Sequence, residues 1–243
     1  MKIIFWVRSI IATAYFIVLT AAIATAVIFS VVILRRQDFS DKLIWFWGRS
    51  LTWAFNIDVE LLGEENIPKE GCLFVFNHSS HFDIIIFASA IKKHARFGAK
   101  IELFKIPIFG PAMRAAGVLP ITRAERSKVL RLYDESIARV HKGESFILAC
   151  EGTRQPRPGV GERFKSGPFI FAINGQFPVV PVVIRGAAEV LAKGDLIACT
   201  KAWKHKARVE VLPAMPTAGL TMDDRPQLQE EVRARMTAAY YAG

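Results

Sequence analysis

From Ser9 to Leu34 the chain reads SIIATAYFIVLTAAIATAVIFSVVIL, 26 residues without a charged side chain. A helix rises 1.5 Å per residue and a bilayer core is about 30 Å thick, so about 20 such residues suffice to cross it. The stretch is therefore read as an uncleaved hydrophobic anchor helix over residues 9–34. A signal peptide cleaved near Ala24-Thr25-Ala26 is the competing reading. Against it, VIFSVVIL continues the apolar run where a signal peptide would turn polar. Arg35 and Arg36 close the segment. Lys2 and Arg8 flank one end, while Arg35, Arg36, Lys42 and Arg49 flank the other, a bias that places the remaining chain on the cytoplasmic face (the inner membrane, if bacterial). The sequence leaves open whether the segment crosses the bilayer or lies in one leaflet.

Four of the five tryptophans (Trp6, Trp45, Trp47 and Trp53) fall before residue 54. Indoles favour the headgroup level, so residues 41–56 read as a second helix in the membrane interface, with an ordinary amphipathic core helix as the alternative. Residues 1–56 are thus expected to form the anchor and 57–243 the globular domain. A hydrophobic content of 52% excludes a disordered chain. Three cysteines without a Cys-x-x-Cys pair imply neither a disulfide framework nor a zinc ribbon, and favour a reducing compartment. The net charge of +10 suits anionic headgroups. No aromatics interleave with a basic face, so nucleic acid is not an expected partner.

Beyond the anchor, apolar runs at Ile57–Leu62, Cys72–Phe76, Val118–Ile121, Ser145–Ala149 and Val179–Ile184 predict strands. The stretches His81–Ile91 and Glu125–His141 predict helices, followed by a basic strand at Ala207–Leu212 and a closing helix over Met222–Tyr241. Strand–helix alternation predicts one α/β domain, a sheet flanked by helices.

Three strand ends carry polar residues suited to chemistry. The run Asn77-His78-Ser79-Ser80-His81-Phe82-Asp83 separates a buried strand from an apolar helix. His78 and Asp83, five apart, cannot share one helix face, but they can meet if His78 lies on the turn and Asp83 in the first helical turn. A carboxylate holding one imidazole nitrogen frees the other to take a proton from a hydroxyl. The same residues also fit a capping box, with Ser80 as N-cap and Asp83 at the third helical position. The second is Glu151-Gly152-Thr153-Arg154, a loop able to offer N–H groups and a guanidinium fork to a phosphate or carboxylate, or to be solvated surface. The third is Gly117-Val118-Leu119-Pro120-Ile121-Thr122-Arg123, preceded by Lys105. No Gly-x-Ser-x-Gly elbow, Walker loop or dinucleotide fingerprint occurs, and the histidines and cysteines show no metal-ligand spacing.

These blocks resemble the lysophosphatidic acid acyltransferase family, within the glycerolipid acyltransferases. Asn77 to Asp83 matches its Asn-His-x-x-x-x-Asp motif, and Gly117–Arg123 is similar to its second block. Glu151–Arg154 with Phe164-Lys165-Ser166-Gly167 matches the third, and Val180-Pro181-Val182-Val183-Ile184 resembles the fourth. Ala149-Cys150 stand where the family usually has Phe-Pro, and the loop after Arg154 is about one residue longer. The resemblance implies a mixed-sheet acyltransferase domain that moves an acyl chain from acyl-CoA or acyl carrier protein to a lysophospholipid hydroxyl, making phosphatidic acid without a further cofactor. It implies His78 as general base oriented by Asp83. Arg154, Arg123 and Lys105 hold the acceptor phosphate, and Glu151, Gly152 and Thr153 shape its pocket. Another lysophospholipid, an amino-lipid acceptor, or a lipid-binding protein without turnover are the alternatives.

Overall fold

The computed structural model describes residues 2–122, 124–195, 197–199 and 202–242. Seven strands form one mixed sheet: β1 (Ile57–Leu62), β2 (Leu73–Phe76), β3 (Ala95–Lys100), β4 (Leu119–Ile121), β5 (Ser145–Ala149), β6 (Val179–Arg185) and β7 (His205–Val211), in the order β1-β7-β6-β2-β5-β3-β4. Neighbours run parallel except β6 and β7, so β2 to β6 all deliver their carboxyl ends to one edge, where β7 begins. Among the described residues, eight α-helices accompany them: α1 (Lys2–Ile28), α2 (Gln37–Ala54), α3 (Phe82–Ala90), α4 (Phe109–Ala115), α5 (Arg126–His141), α6 (Ser166–Gly175), α7 (Ala187–Val190) and α8 (Arg225–Ala242).

Strand side chains alternate between faces, and β2 shows how this builds two cores. Phe74 and Phe76 join the cluster containing Leu51, Ile86 and Phe87 under α2 and α3. Leu73 and Val75 join Tyr133, Phe171 and Val232 under α5, α6 and α8. All four β2 residues are buried, which is why the strand reads as a continuous apolar run. β3 and α6 lie outside the sequence-derived elements for opposite reasons. β3 is Ala-Arg-Phe-Gly-Ala-Lys, without an apolar run, and needs its glycine because a Cβ on Gly98 would stand 2.3 Å from Leu148 Cδ2. α6 is apolar on most sides and carries Pro168 in its first turn, where a missing N–H is tolerated.

α1 continues through a π-helical turn, Phe29–Ile33, and Arg35 takes a left-handed φ of +54° before α2. Contacts to the folded body are spread along α1. Near its start Arg8 bonds the carbonyls of Trp203 and Phe55, and midway Trp47 Nε1 donates to Thr20 Oγ1 at 3.0 Å. Further on, Ala24 and Val27 pack against Ala112 of α4 and Ala116 just after it. Ile4–Ile33 is long and apolar enough to cross a membrane, yet only 17% of its most apolar window is buried. Its outer face presents Trp6, Ile10, Ile17, Val18 and Phe29. In α2, Leu51 is buried in the core, whereas Phe46 and Trp53 face outward.

α2 is tied to the far edge of the sheet by an ionic cluster. Asp41 pairs with His94 and with Arg96, a guanidinium 1% exposed, which also holds Glu144 at 2.8 Å. Hydrogen bonds to Asp41 and Glu144 raise His94 to about 9, against burial and the Arg96 charge. A raised folded-state pKa stabilises fully below the unfolded value near 6.5 and ceases to do so as pH rises through about 9. Between these pH values the thermal midpoint should fall more in the native protein than in His94→Gln. Parallel profiles would contradict the pairing.

Candidate active site

The turn after β2 is organised around one carboxylate. Asp83, in the first turn of α3, has no exposed surface. Its Oδ2 accepts the backbone N–H groups of Ser79 and Ser80, each at 2.8 Å, and lies 2.8 Å from His78 Nδ1. Ser80 Oγ accepts the Phe82 N–H and donates to the Leu191 carbonyl. The structure corrects the capping-box reading: the N-cap of α3 is His81, not Ser80, Asp83 is the second helical residue, and its carboxylate holds the His78 ring and the N–H groups of the turn before the helix. Nδ1 is engaged, so Nε2 of a ring 19% exposed is the nitrogen left to meet a substrate. Phe76 packs edge-on against the imidazole, ring centroids 5.6 Å apart.

A second buried carboxylate joins this turn to the loop after β5. Glu151 Oε2 accepts the His78 N–H at 2.9 Å, and Oε1 accepts the Gly161 N–H at 2.7 Å. Burial pushes its carboxyl above the ordinary range, with the two N–H bonds opposing the shift. Gln155 N–H returns to the His78 carbonyl at 2.7 Å, so His78 is held through both backbone groups. Asn77 completes the frame: its Oδ1 accepts the Ile184 N–H, while its Nδ2 donates to the carbonyls of Ile184 and Gly159. Sequence reasoning assigned no role to Asn77, Gln155 or Gly161. A polar amide at the end of a buried strand was the available signal.

The remaining sequence candidates distribute as follows. Gly152 adopts a left-handed φ of +69°, and it and Thr153 are exposed. Arg154 is half-buried, and its charge, after desolvation, helps lower the pKa of His81 beside it. Lys105 is exposed in the short helix Ile101–Lys105 that follows β3 at the same sheet edge. Arg123 lies outside the described residues. Cys150, adjacent to Glu151, is fully buried and its thiol is pushed well up by burial, which removes it as a nucleophile.

A family model described as Acyltransferase matches residues 58–185, more than half of the chain. The chain belongs to the acyltransferase family. It is 30% identical over 162 residues to the chloroplastic 1-acyl-sn-glycerol-3-phosphate acyltransferase BAT2 of Brassica napus, covering 66% of this chain and 46% of that relative. To 1-acyl-sn-glycerol-3-phosphate acyltransferase alpha of Homo sapiens it is 28% identical over 192 residues, 78% of this chain and 66% of the human one. The chain thus spans about half the length of the plant relative. The crystal structure of the 1-acyl-sn-glycerophosphate (LPA) acyltransferase PlsC from Thermotoga maritima superposes with a TM-score of 0.79 at 25% identity, covering 99% of this chain and 96% of that one. The resemblance read from the motifs and these relatives' names agree.

Replacing Glu151 by Gln puts an amide NH2 against one of two backbone N–H donors. The loss of a buried acceptor should cost about 1–3 kcal/mol, read as a lowered denaturation midpoint. Unchanged stability would show that the carboxylate does not tie the loops.

Proposed function

We propose that the protein transfers an acyl chain from an acyl thioester to the free hydroxyl of lysophosphatidic acid, forming phosphatidic acid. The observation that carries this reading is the 2.8 Å contact of His78 Nδ1 with buried Asp83, at the sheet edge that also bears Arg154 and Lys105. His78 Nε2 takes the acceptor's hydroxyl proton as the oxygen attacks the thioester carbonyl, and Asp83 orients the ring and stabilises the imidazolium. The C–O bond forms, the tetrahedral centre collapses with cleavage of the C–S bond, and the imidazolium returns its proton to the leaving thiolate. No enzyme nucleophile and no further cofactor is required. Arg154, Arg123 and Lys105 hold the acceptor phosphate by charge and hydrogen bonds, and Glu151, Gly152 and Thr153 shape that pocket.

Substrate and product are lipids, and α1 supports a membrane setting. Its contacts to the body at both ends and midway mean that a perpendicular crossing would draw the folded domain into hydrocarbon. The reading that fits is an anchor, residues 1–56, whose outer apolar face lies in one leaflet beside the catalytic domain, 57–243, on the cytoplasmic face.

Purified protein in detergent should release thiol from acyl-CoA or acyl carrier protein only when lysophosphatidic acid is present. His78→Ala and Asp83→Asn should lower kcat by about 10²–10⁴-fold without abolishing lipid binding. Release indifferent to His78→Ala would overturn the general-base role. Binding without release from either donor would favour a lipid-binding protein, and release with another lysophospholipid or an amino-lipid alone would reassign the acceptor.

A further inference from the structure

Beside His78, on the β6–β7 side, lies a cavity of about 360 Å³ whose walls include Ser79, Gln155, Arg157, Glu189, Lys193 and His205. Ser79 is the chain neighbour of His78 and donates its N–H to Asp83, so the cavity wall includes part of the turn that carries His78. Lys105 follows β3, on the opposite side of β2 from this cavity. An enzyme that joins a thioester donor to a phosphorylated acceptor has two anionic groups to place, and the proposed acceptor residues account for one.

The cavity is fastened to the catalytic turn from two directions. Gln155 bonds the His78 carbonyl and begins the stretch that carries Arg157 between Pro156 and Pro158. Ser80 Oγ bonds the Leu191 carbonyl, and Lys193 Nζ reaches the Arg154 carbonyl at 2.8 Å. Arg157 and Lys193 against Glu189 leave one net positive charge, the complement of a phosphodiester. At the start of β7, His205 is 5% exposed and its Nε2 has no hydrogen-bond partner. A buried polar atom without a partner is uncommon and costly. The Ala202 carbonyl accepts from the imidazole, and with Nε2 unpartnered that proton sits on Nδ1. Burial and the Arg8 charge lower the pKa of His205, which favours the neutral ring. The ring therefore adds no second positive charge to the cavity wall.

We propose that this cavity receives the 4′-phosphopantetheine arm of the acyl donor, with its phosphate on Arg157 and Lys193. The arm is common to coenzyme A and acyl carrier protein, and it brings the thioester toward His78 from the side opposite Lys105. The inference rests on the thioester-donor reading of the proposed function.

The test uses the full chain in detergent with the double variant Arg157→Glu/Lys193→Glu, both positions being exposed. Donor KM should rise by about tenfold or more for acyl-CoA and for acyl carrier protein alike, as expected when two charge-assisted contacts are reversed. An N-acetylcysteamine thioester, which lacks the phosphate, should show a clearly smaller penalty, and acceptor KM should move less than donor KM. Equal penalties on all three donors overturn the assignment. So does a penalty confined to one phosphopantetheine donor, or one that appears in acceptor KM. Equilibrium binding of free coenzyme A separates this inference from the proposed reaction. Coenzyme A affinity lost in the variant supports the cavity even if lysophosphatidic acid is not the acceptor. A protein that turns over, yet binds coenzyme A equally well with and without the substitutions, overturns the cavity and leaves the reaction standing.

Discussion

Asp83 has no exposed surface and is held by the Ser79 and Ser80 N–H groups and the His78 ring. A buried carboxylate is tolerable only when its lone pairs are satisfied, and here the partners come from the turn that must also present His78. Bracing the turn before α3 and orienting the imidazole are one act. The turn cannot relax to another conformation without stranding the charge, so the position of His78 is set by folding before any substrate arrives.

Glu151 extends the same logic across strands. Its two oxygens bind N–H groups from the His78 turn and from the loop at Gly161, so the carboxyl ends of β2 and β5 are joined by a side chain where no ladder exists. Asn77 makes the equivalent join to Ile184 at the end of β6. Together they convert three separate loops into one surface. The motif residues nearest the chemistry therefore divide into groups that can meet substrate, such as His78 and Arg154, and groups that hold the loops, such as Asn77 and Glu151.

The N-terminal helices follow a different rule. α1 is fastened along its length to α2, α4 and the residues before β1 and β7, and its outer face remains apolar. The ionic cluster of Asp41, His94, Arg96 and Glu144 then locks α2 to the sheet edge away from His78. The N-terminal helices and the catalytic turn are thus parts of one packed unit, with Leu51 of α2 and Ile86 of α3 in the same core cluster.

Periodicity alone determined most strands, because buried parallel strands such as β2 and β6 are runs of Val, Ile and Phe bounded by polar turns, and it determined α5 by its amphipathic face. It could not determine β3, where Gly98 is required by the approach of Leu148, nor α6, whose apolar residues on most sides blur the helical period. The motifs named His78, Asp83, Glu151 and Arg154 as candidates, since residue type and spacing carry that information. Whether Asp83 caps a helix or holds a histidine was undecidable locally, because both need the same residue at the same place. Tertiary structure decided for the histidine and the N–H groups of its turn, with the N-cap of α3 at His81. It also brought Gln155, Lys193 and His205, from three distant stretches, around one cavity beside Ser79. No local pattern encodes such a meeting, because it follows from the order in which β6, β2 and β7 pair and not from neighbours in the chain.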